Sequence, residues 1–159
     1  MGRGALTRSI TRLGGVSSLD PEIRAFLSEG TRTGKLAWTA ADGRPLVAPV
    51  WFVVEGPDDA PELLFNTGRD TAKGRAVRRD PRVSLCVDSE LPPYGFVQVQ
   101  ALATVSEDPA ELLRSATVIA GRYMGEDRAE EFGKRNGVPG ELLVRLRPTK
   151  IVANLDMTA

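Results

Sequence analysis

The sequence predicts a mainly β fold of the α+β class, a small barrel with short helices at its periphery. Three observations carry that expectation. Apolar runs of strand length follow one another at turn-sized intervals. They are joined by hairpin signals rather than by strand–helix–strand crossovers, which is the pattern of an antiparallel sheet closing on itself. No GxGxxG stands at any strand-to-helix junction, so the usual dinucleotide-binding sheet is absent.

The elements follow in order. Asp20-Pro21 starts a short helix, with Asp20 as cap, Pro21 at the first position and Ile23, Phe26 and Leu27 on one face; Gly30 stops it. Lys35–Ala40 reads as a strand, and Asp42-Gly43 as the turn of a hairpin. The return strand, Leu46–Val54, follows directly on Pro45 and contains Pro49. Neither can donate to a ladder, so this strand belongs at an edge or carries a bulge near Pro49. Glu62–Thr67 is a third strand. Thr71–Arg79 is a helix that stops before Asp80-Pro81. Two strands, Arg82–Asp88 and Phe96–Val105, flank the turn Leu91-Pro92-Pro93-Tyr94-Gly95. Asp108-Pro109-Ala110-Glu111 opens a helix to about Tyr123, a shorter polar helix covers Asp127–Lys134, and Glu141–Arg147 alternates as a last strand.

Composition narrows the chemistry. The chain has 159 residues, 42% hydrophobic and 26% charged, which suits a single domain. Its 21 basic and 21 acidic residues cancel, so overall charge argues for neither nucleic acid nor membrane binding. No stretch approaches the ~18 apolar residues of a membrane span. Histidine is absent, which excludes His-based zinc sites, Ser-His-Asp systems and His-ligated haem. No metal site is expected. The single Cys86 lies in an apolar run, reads as an inert buried thiol and fits a cytoplasmic protein. An enzyme this poor in reactive side chains needs a bound cofactor for redox work. Residues 1–18 carry Arg3, Arg8 and Arg12, no acid and no apolar core. They read as a flexible tail rather than a secretory signal, ahead of a domain over 19–159.

One segment departs from neutrality. Between Asn66 and Arg82 stand Arg69, Lys73, Arg75, Arg78, Arg79 and Arg82 against Asp70 and Asp80, around a helix start that follows a strand. Helix N–H groups, the helix dipole and the Thr71 hydroxyl would converge on an anion there. From charge alone the plainer reading is a solvated helix face. An RNA site lacks the aromatics that would stack bases.

The ordered text Asp42-Gly43-Arg44-Pro45, Thr71-Ala72-Lys73-Gly74-Arg75, Arg78-Arg79-Asp80-Pro81-Arg82-Val83-Ser84-Leu85 and Leu143–Lys150 resembles the split β-barrel, pyridoxamine-phosphate-oxidase-like superfamily, and most of all its deazaflavin-dependent branch. The resemblance runs from about Leu19 to Val152. It implies an FMN-binding split barrel and a homodimer with cofactors in clefts between the subunits. It also implies transfer of a hydride between coenzyme F420 and a small unsaturated organic substrate. An FMN-dependent oxidase or reductase, or a non-catalytic cofactor-binding protein, would share the barrel. By position, Thr71, Lys73 and Arg75 would hold the cofactor phosphate, with Asn66 and Thr67 leading into the site. Pro49, Val50, Trp51 and Phe52 would lie along the tricyclic ring. Because a strand alternates faces, at most one of Trp51 and Phe52 should meet it. Tyr94 is a weak candidate for proton donor, approaching from the partner. True pyridoxamine-phosphate oxidases bind substrate through a C-terminal segment with Trp, His and Arg. Here Arg145 and Arg147 are present, but no Trp follows Trp51 and there is no His, which argues against vitamin B6 as substrate.

Overall fold

The computed structural model describes residues 18–159; the tail reading falls, apart from Ser18, outside them. The chain forms α1 (Pro21–Ser28), β1 (Gly34–Thr39), β2 (Pro45–Val50), β3 (Val53–Glu55), β4 (Glu62–Gly68) and α2 (Ala72–Arg79). There follow β5 (Arg82–Asp88), β6 (Tyr94–Ser106), α3 (Pro109–Met124), a 3-10 turn at Glu126–Arg128, α4 (Ala129–Asn136) and β7 (Glu141–Asp156). All seven strands belong to one antiparallel sheet in the order β2-β1-β5-β6-β7-β4-β3.

That order dictates the shape. The first and last strands of the sheet, β2 and β3, are consecutive in the chain and separated only by Trp51 and Phe52. Val50 and Val53 are three Cα steps apart, at most ~11 Å. The sheet therefore has to curl until its two edges meet at that connector. No ladder joins β2 to β3, so the barrel stays split along the seam.

Strand alternation sorts side chains into two cores. Leu63 and Phe65 of β4, and Leu142, Val144 and Leu146 of β7, point into the barrel beside Leu36, Phe52, Leu85, Val97 and Val99. Leu64 and Leu143 point outward and meet Leu112 and Ile119 of α3, with Val53. The strands α3 covers are thus apolar on both faces. The Asp108 carboxylate accepts the Glu111 N–H at 3.0 Å, the N-terminal cap the sequence predicts for α3.

Two elements differ from expectation. The stretch 46–54 is not one strand bulged near Pro49. It breaks at Trp51–Phe52, because the chain must change from one sheet edge to the other there; the edge placement of both prolines holds. The last strand does not end at Arg147 but continues through Pro148 to Asp156. A register shift at Gln100/Ala101 leaves Thr149 as the extra residue, and its hydroxyl donates to the Gln100 carbonyl at 3.2 Å. The bulge absorbs the proline that would otherwise end pairing.

Candidate functional site

The loop between β4 and α2 is built around one threonine. Thr71 caps α2: its hydroxyl accepts the Gly74 N–H at 3.0 Å, donates to the Gly68 carbonyl at 2.8 Å, and lies 3.2 Å from the Thr67 hydroxyl. The loop packs so closely that a Cβ on Gly74 would sit 2.3 Å from the Gly68 carbonyl oxygen, so only glycine fits. The Thr71 hydroxyl has one proton and gives it to Gly68. It therefore shapes the loop, and the donors left for an anion are the Ala72 and Lys73 N–H groups that no helix residue can satisfy.

The six basic residues around this loop do not act alike. Arg69 pairs with Glu107 at 2.9 Å. Arg75 donates to the Asp70 carbonyl, Arg78 to those of Arg69 and Gly74, and Arg79 to that of Thr39. Arg82 forms a two-pronged pair with Asp80, whose hydrogen bonds from Arg82 pull its carboxyl down to about 2. Only Lys73 among the six has neither a carboxylate nor a carbonyl partner among the described residues; it lies 5.9 Å from the Trp38 ring centroid. The other five hold loop and helix together, and Lys73 is left without such a partner among the described residues.

Lys73 lines a cleft of about 370 Å³ at the seam, with Pro49, Val50 and Trp51 from the β2 end and Asn66 and Thr67 from β4. Six of the nine residues singled out as cofactor contacts thus share one cavity. Arg75 and Thr71 stand outside its lining, engaged as above. Phe52 is fully buried in the barrel core and presents no side-chain surface to a ligand; Trp51 is 39% exposed. Of this pair only Trp51 lines the cleft, although the two lie in the connector between β2 and β3 and not in a strand, where alternation was expected to separate them. Tyr94 begins β6 at φ 58°, half exposed and opposite Asp156, away from this cleft in its own chain.

Asn66 shows what the cleft lacks. Its Oδ1 is 2.9 Å from the Ser115 hydroxyl on α3, while its amide nitrogen is buried and without a partner among the described residues. Ser115 also has the Leu112 carbonyl at 3.1 Å as a second acceptor. With the Ser115 hydroxyl directed at the nearer Asn66 Oδ1, the amide N–H₂ is a donor awaiting an acceptor. A buried donor left unmade costs ~1–3 kcal/mol, which a ligand carbonyl would recover.

Trp51 is held from behind. Its indole stacks on the Tyr123 ring at 5.0 Å and 2° between planes. The Tyr123 hydroxyl donates to the Arg32 carbonyl at 2.8 Å and accepts the Phe52 N–H at 3.2 Å. Burial raises its pKa, so it stays a neutral phenol. Beside it, Arg122 donates to the carbonyls of Leu27 (2.8 Å), Gly30 (2.9 Å) and Phe52 (2.7 Å), and lies 4.6 Å from the Phe52 ring. Burial lowers the Arg122 pKa. The connector that joins the two sheet edges is thus clamped to α1 and α3.

Sequence reasoning missed Ser115, Arg122, Tyr123, Arg135, Asn136 and Glu141. The last three line the same cleft. All six lie far along the chain from the Thr-x-Lys-x-Arg segment, and only the β4–β7 pairing and the packing of α3 bring them to it. Burial lifts the Glu141 carboxyl above its ordinary range. Cys86 is half-buried, and burial first, then Asp88, raises its thiol, in keeping with an inert cysteine. Among the described residues no group of His, Cys, Asp or Glu is arranged to hold a metal, and no helix is long and apolar enough to cross a membrane.

Comparison with known proteins agrees with this architecture. No curated protein matches the sequence. A conserved hypothetical protein from Mycobacterium tuberculosis is 25% identical with a TM-score of 0.73, over 93% of this chain and 90% of the other. An F420 reductase is also 25% identical, with a TM-score of 0.63 over 83% of this chain and 98% of its own. The haem storage protein HutZ from Vibrio cholerae shares the fold at 23% identity and a TM-score of 0.66, over 89% and 99% of the two chains. The family model described as pyridoxamine 5'-phosphate oxidase matches residues 19–154. With its curled, unclosed seven-stranded sheet and seam cleft, this chain belongs to the pyridoxamine 5'-phosphate oxidase family of flavin-binding split barrels.

Proposed function

We propose that the chain is an F420-dependent oxidoreductase acting on a small unsaturated organic substrate. The observation that carries this reading is Lys73: a cation with no carboxylate partner among the described residues, at a helix N-terminus, in the same cleft as a half-exposed indole and a buried amide that likewise has no partner among them. Those three groups match the three parts of a ribityl-phosphate cofactor, namely phosphate, ring carbonyl edge and ring face. Likeness to an F420 reductase supports the choice of cofactor.

When bound, the deazaflavin supplies a hydride to an electrophilic, conjugated carbon. The chain's own residues bind and orient. Lys73 and the N–H groups at the start of α2 hold the phosphate. The Asn66 amide donates to a ring carbonyl. Trp51, backed by Tyr123, gives the ring a flat wall that excludes water. Arg135 and Asn136 border the space left for substrate. The chain is further proposed to work as a homodimer whose clefts are completed by the partner, where Tyr94 from the second subunit would approach the ring. Oxidation of vitamin B6 is disfavoured, since the chain has no histidine and no Trp after Trp51, whereas the oxidases carry both in a C-terminal substrate-binding segment.

Titration with F420 and FMN, read by quenching of tryptophan fluorescence, tests the proposal, followed by turnover of reduced F420 against a panel of quinones and cyclic enones. Tight F420 binding with turnover supports it. Tight FMN retention with weak F420 binding moves the assignment to a flavin enzyme, and binding without turnover to a carrier protein.

A further inference from the structure

The anion site identified above contains a carboxylate. Glu141, first residue of β7, lies directly across the ladder from Gly68, the residue at which β4 turns into the Thr71 loop. One Glu141 carboxylate oxygen sits 3.7 Å from the point a Cβ on Gly68 would occupy. It lines the same cleft as Lys73 and Arg135, yet no cation lies within 4 Å of it among the described residues. A negative group is therefore built into the wall beside the helix start proposed to hold phosphate, partly shielded from water and with no cation in contact with it among the described residues.

We propose that Glu141 is a specificity-determining residue that sets the charge of the phosphate the cleft accepts, favouring a phosphodiester over a phosphomonoester. This rests on the reading of the cleft as a cofactor site. A terminal phosphomonoester such as that of FMN carries about two negative charges at neutral pH, with its second ionisation near ~6. The phosphate of F420 is esterified on both sides and carries one. Lys73 neutralises one charge and the helix dipole contributes a fraction more, while the charge of Arg135 on the same lining is offset by that of Glu141. A monoanion is then balanced, whereas the second charge of a monoester faces the Glu141 carboxylate. At separations of several ångströms, in the intermediate dielectric of a half-open cleft, a like-charge contact of this kind changes affinity by about tenfold. The favourable anion-binding geometry and the discrimination between anions come from opposite sides of one ladder pair, Gly68 and Glu141.

The test separates ring from phosphate. Dissociation constants are measured at a pH where the FMN phosphate is fully ionised, for FMN, its methyl phosphodiester and riboflavin, and for F420 itself. The gain in affinity from adding the phosphate to riboflavin is compared for monoester and diester between wild type and Glu141→Gln. The gain for FMN should rise about tenfold in the variant and that for the methyl diester by no more than about threefold, with riboflavin unchanged. Glu141→Ala must give the same pattern, so that the result cannot come from the new amide. Equal changes for the two phosphates, or no change in either, would overturn the inference while leaving the cofactor site in place. If wild type binds none of the four compounds, the cofactor reading and the inference fall together.

Discussion

Replacing Arg122 with alanine should destabilise the fold by about 2–4 kcal/mol. Three charged N–H donors at 2.7–2.9 Å from backbone carbonyls would be lost together, along with the cation's contact with the Phe52 ring at 4.6 Å. Hydrogen bonds to charged groups contribute ~1.5–3 kcal/mol each, which gives an upper bound of ~5–9 kcal/mol. Two effects reduce it. Water reaches the Gly30 end of the guanidinium and can replace that bond. Removing a half-buried cation also refunds the desolvation seen in its lowered pKa. For a domain of this size a loss of 2–4 kcal/mol lowers the melting temperature by roughly 6–12 °C. Arg122→Lys should recover less than half, since one ammonium cannot reach three carbonyls in different directions. Urea unfolding with an unchanged m-value is the assay. A loss below ~0.5 kcal/mol in the alanine variant, or full recovery by lysine, would refute the clamp.

Four further outcomes follow from the same geometry. Lys73→Ala should weaken F420, and FMN if it binds, by ~1.5–3 kcal/mol, while Arg128→Ala, which removes an exposed pair with Glu131 and a contact with the Phe132 ring, leaves titration curves unmoved. Tyr123→Leu removes the stack behind Trp51 and should shift tryptophan emission to the red and weaken cofactor binding; an unaltered spectrum would show that Trp51 needs no support. The Glu141 carboxyl holds its proton more tightly folded than unfolded, so its contribution is present at low pH and lost as pH rises through the raised folded value. Melting curves from ~pH 4 to ~7 should therefore fall less steeply for Glu141→Gln than for wild type. Light scattering at micromolar concentration should report a dimer, and a clean monomer would contradict the shared cleft.

Most of the elements were legible because local signals agree with the fold. Asp20-Pro21, Asp42-Gly43 and Asp108-Pro109 each mark a boundary that the structure places within a residue or two. The break at Trp51–Phe52 was not legible, since nothing local distinguishes an apolar run that changes sheet edge from one that does not. The continuation of β7 past Pro148 depends on a register shift in β6, which lies almost fifty residues away. The site divides the same way. Lys73, Asn66, Thr67 and Trp51 lie close in the sequence to recognisable turns and strands. Glu141, Arg135 and Ser115 enter only through pairing and packing. The basic cluster misled in one respect: charge counting treats six cations alike, whereas five of them spend their charge on nearby carbonyls and carboxylates.

The two prolines of β2 bear on how copies of this protein can meet. β2 is an outer strand, and Val47 beside them is 66% exposed, so the edge would otherwise invite a strand from another molecule. Residues 45, 47 and 49 alternate with those whose N–H groups face β1 across the Thr39↔Pro45 and Lys35↔Pro49 pairs. Two of the three outward donors are therefore missing, and only the Val47 N–H remains to pair. Runaway edge-to-edge growth into fibrils is blocked at its first hydrogen bonds. Copies that meet on this side are left to do so mainly through side chains, with little main-chain pairing to join them.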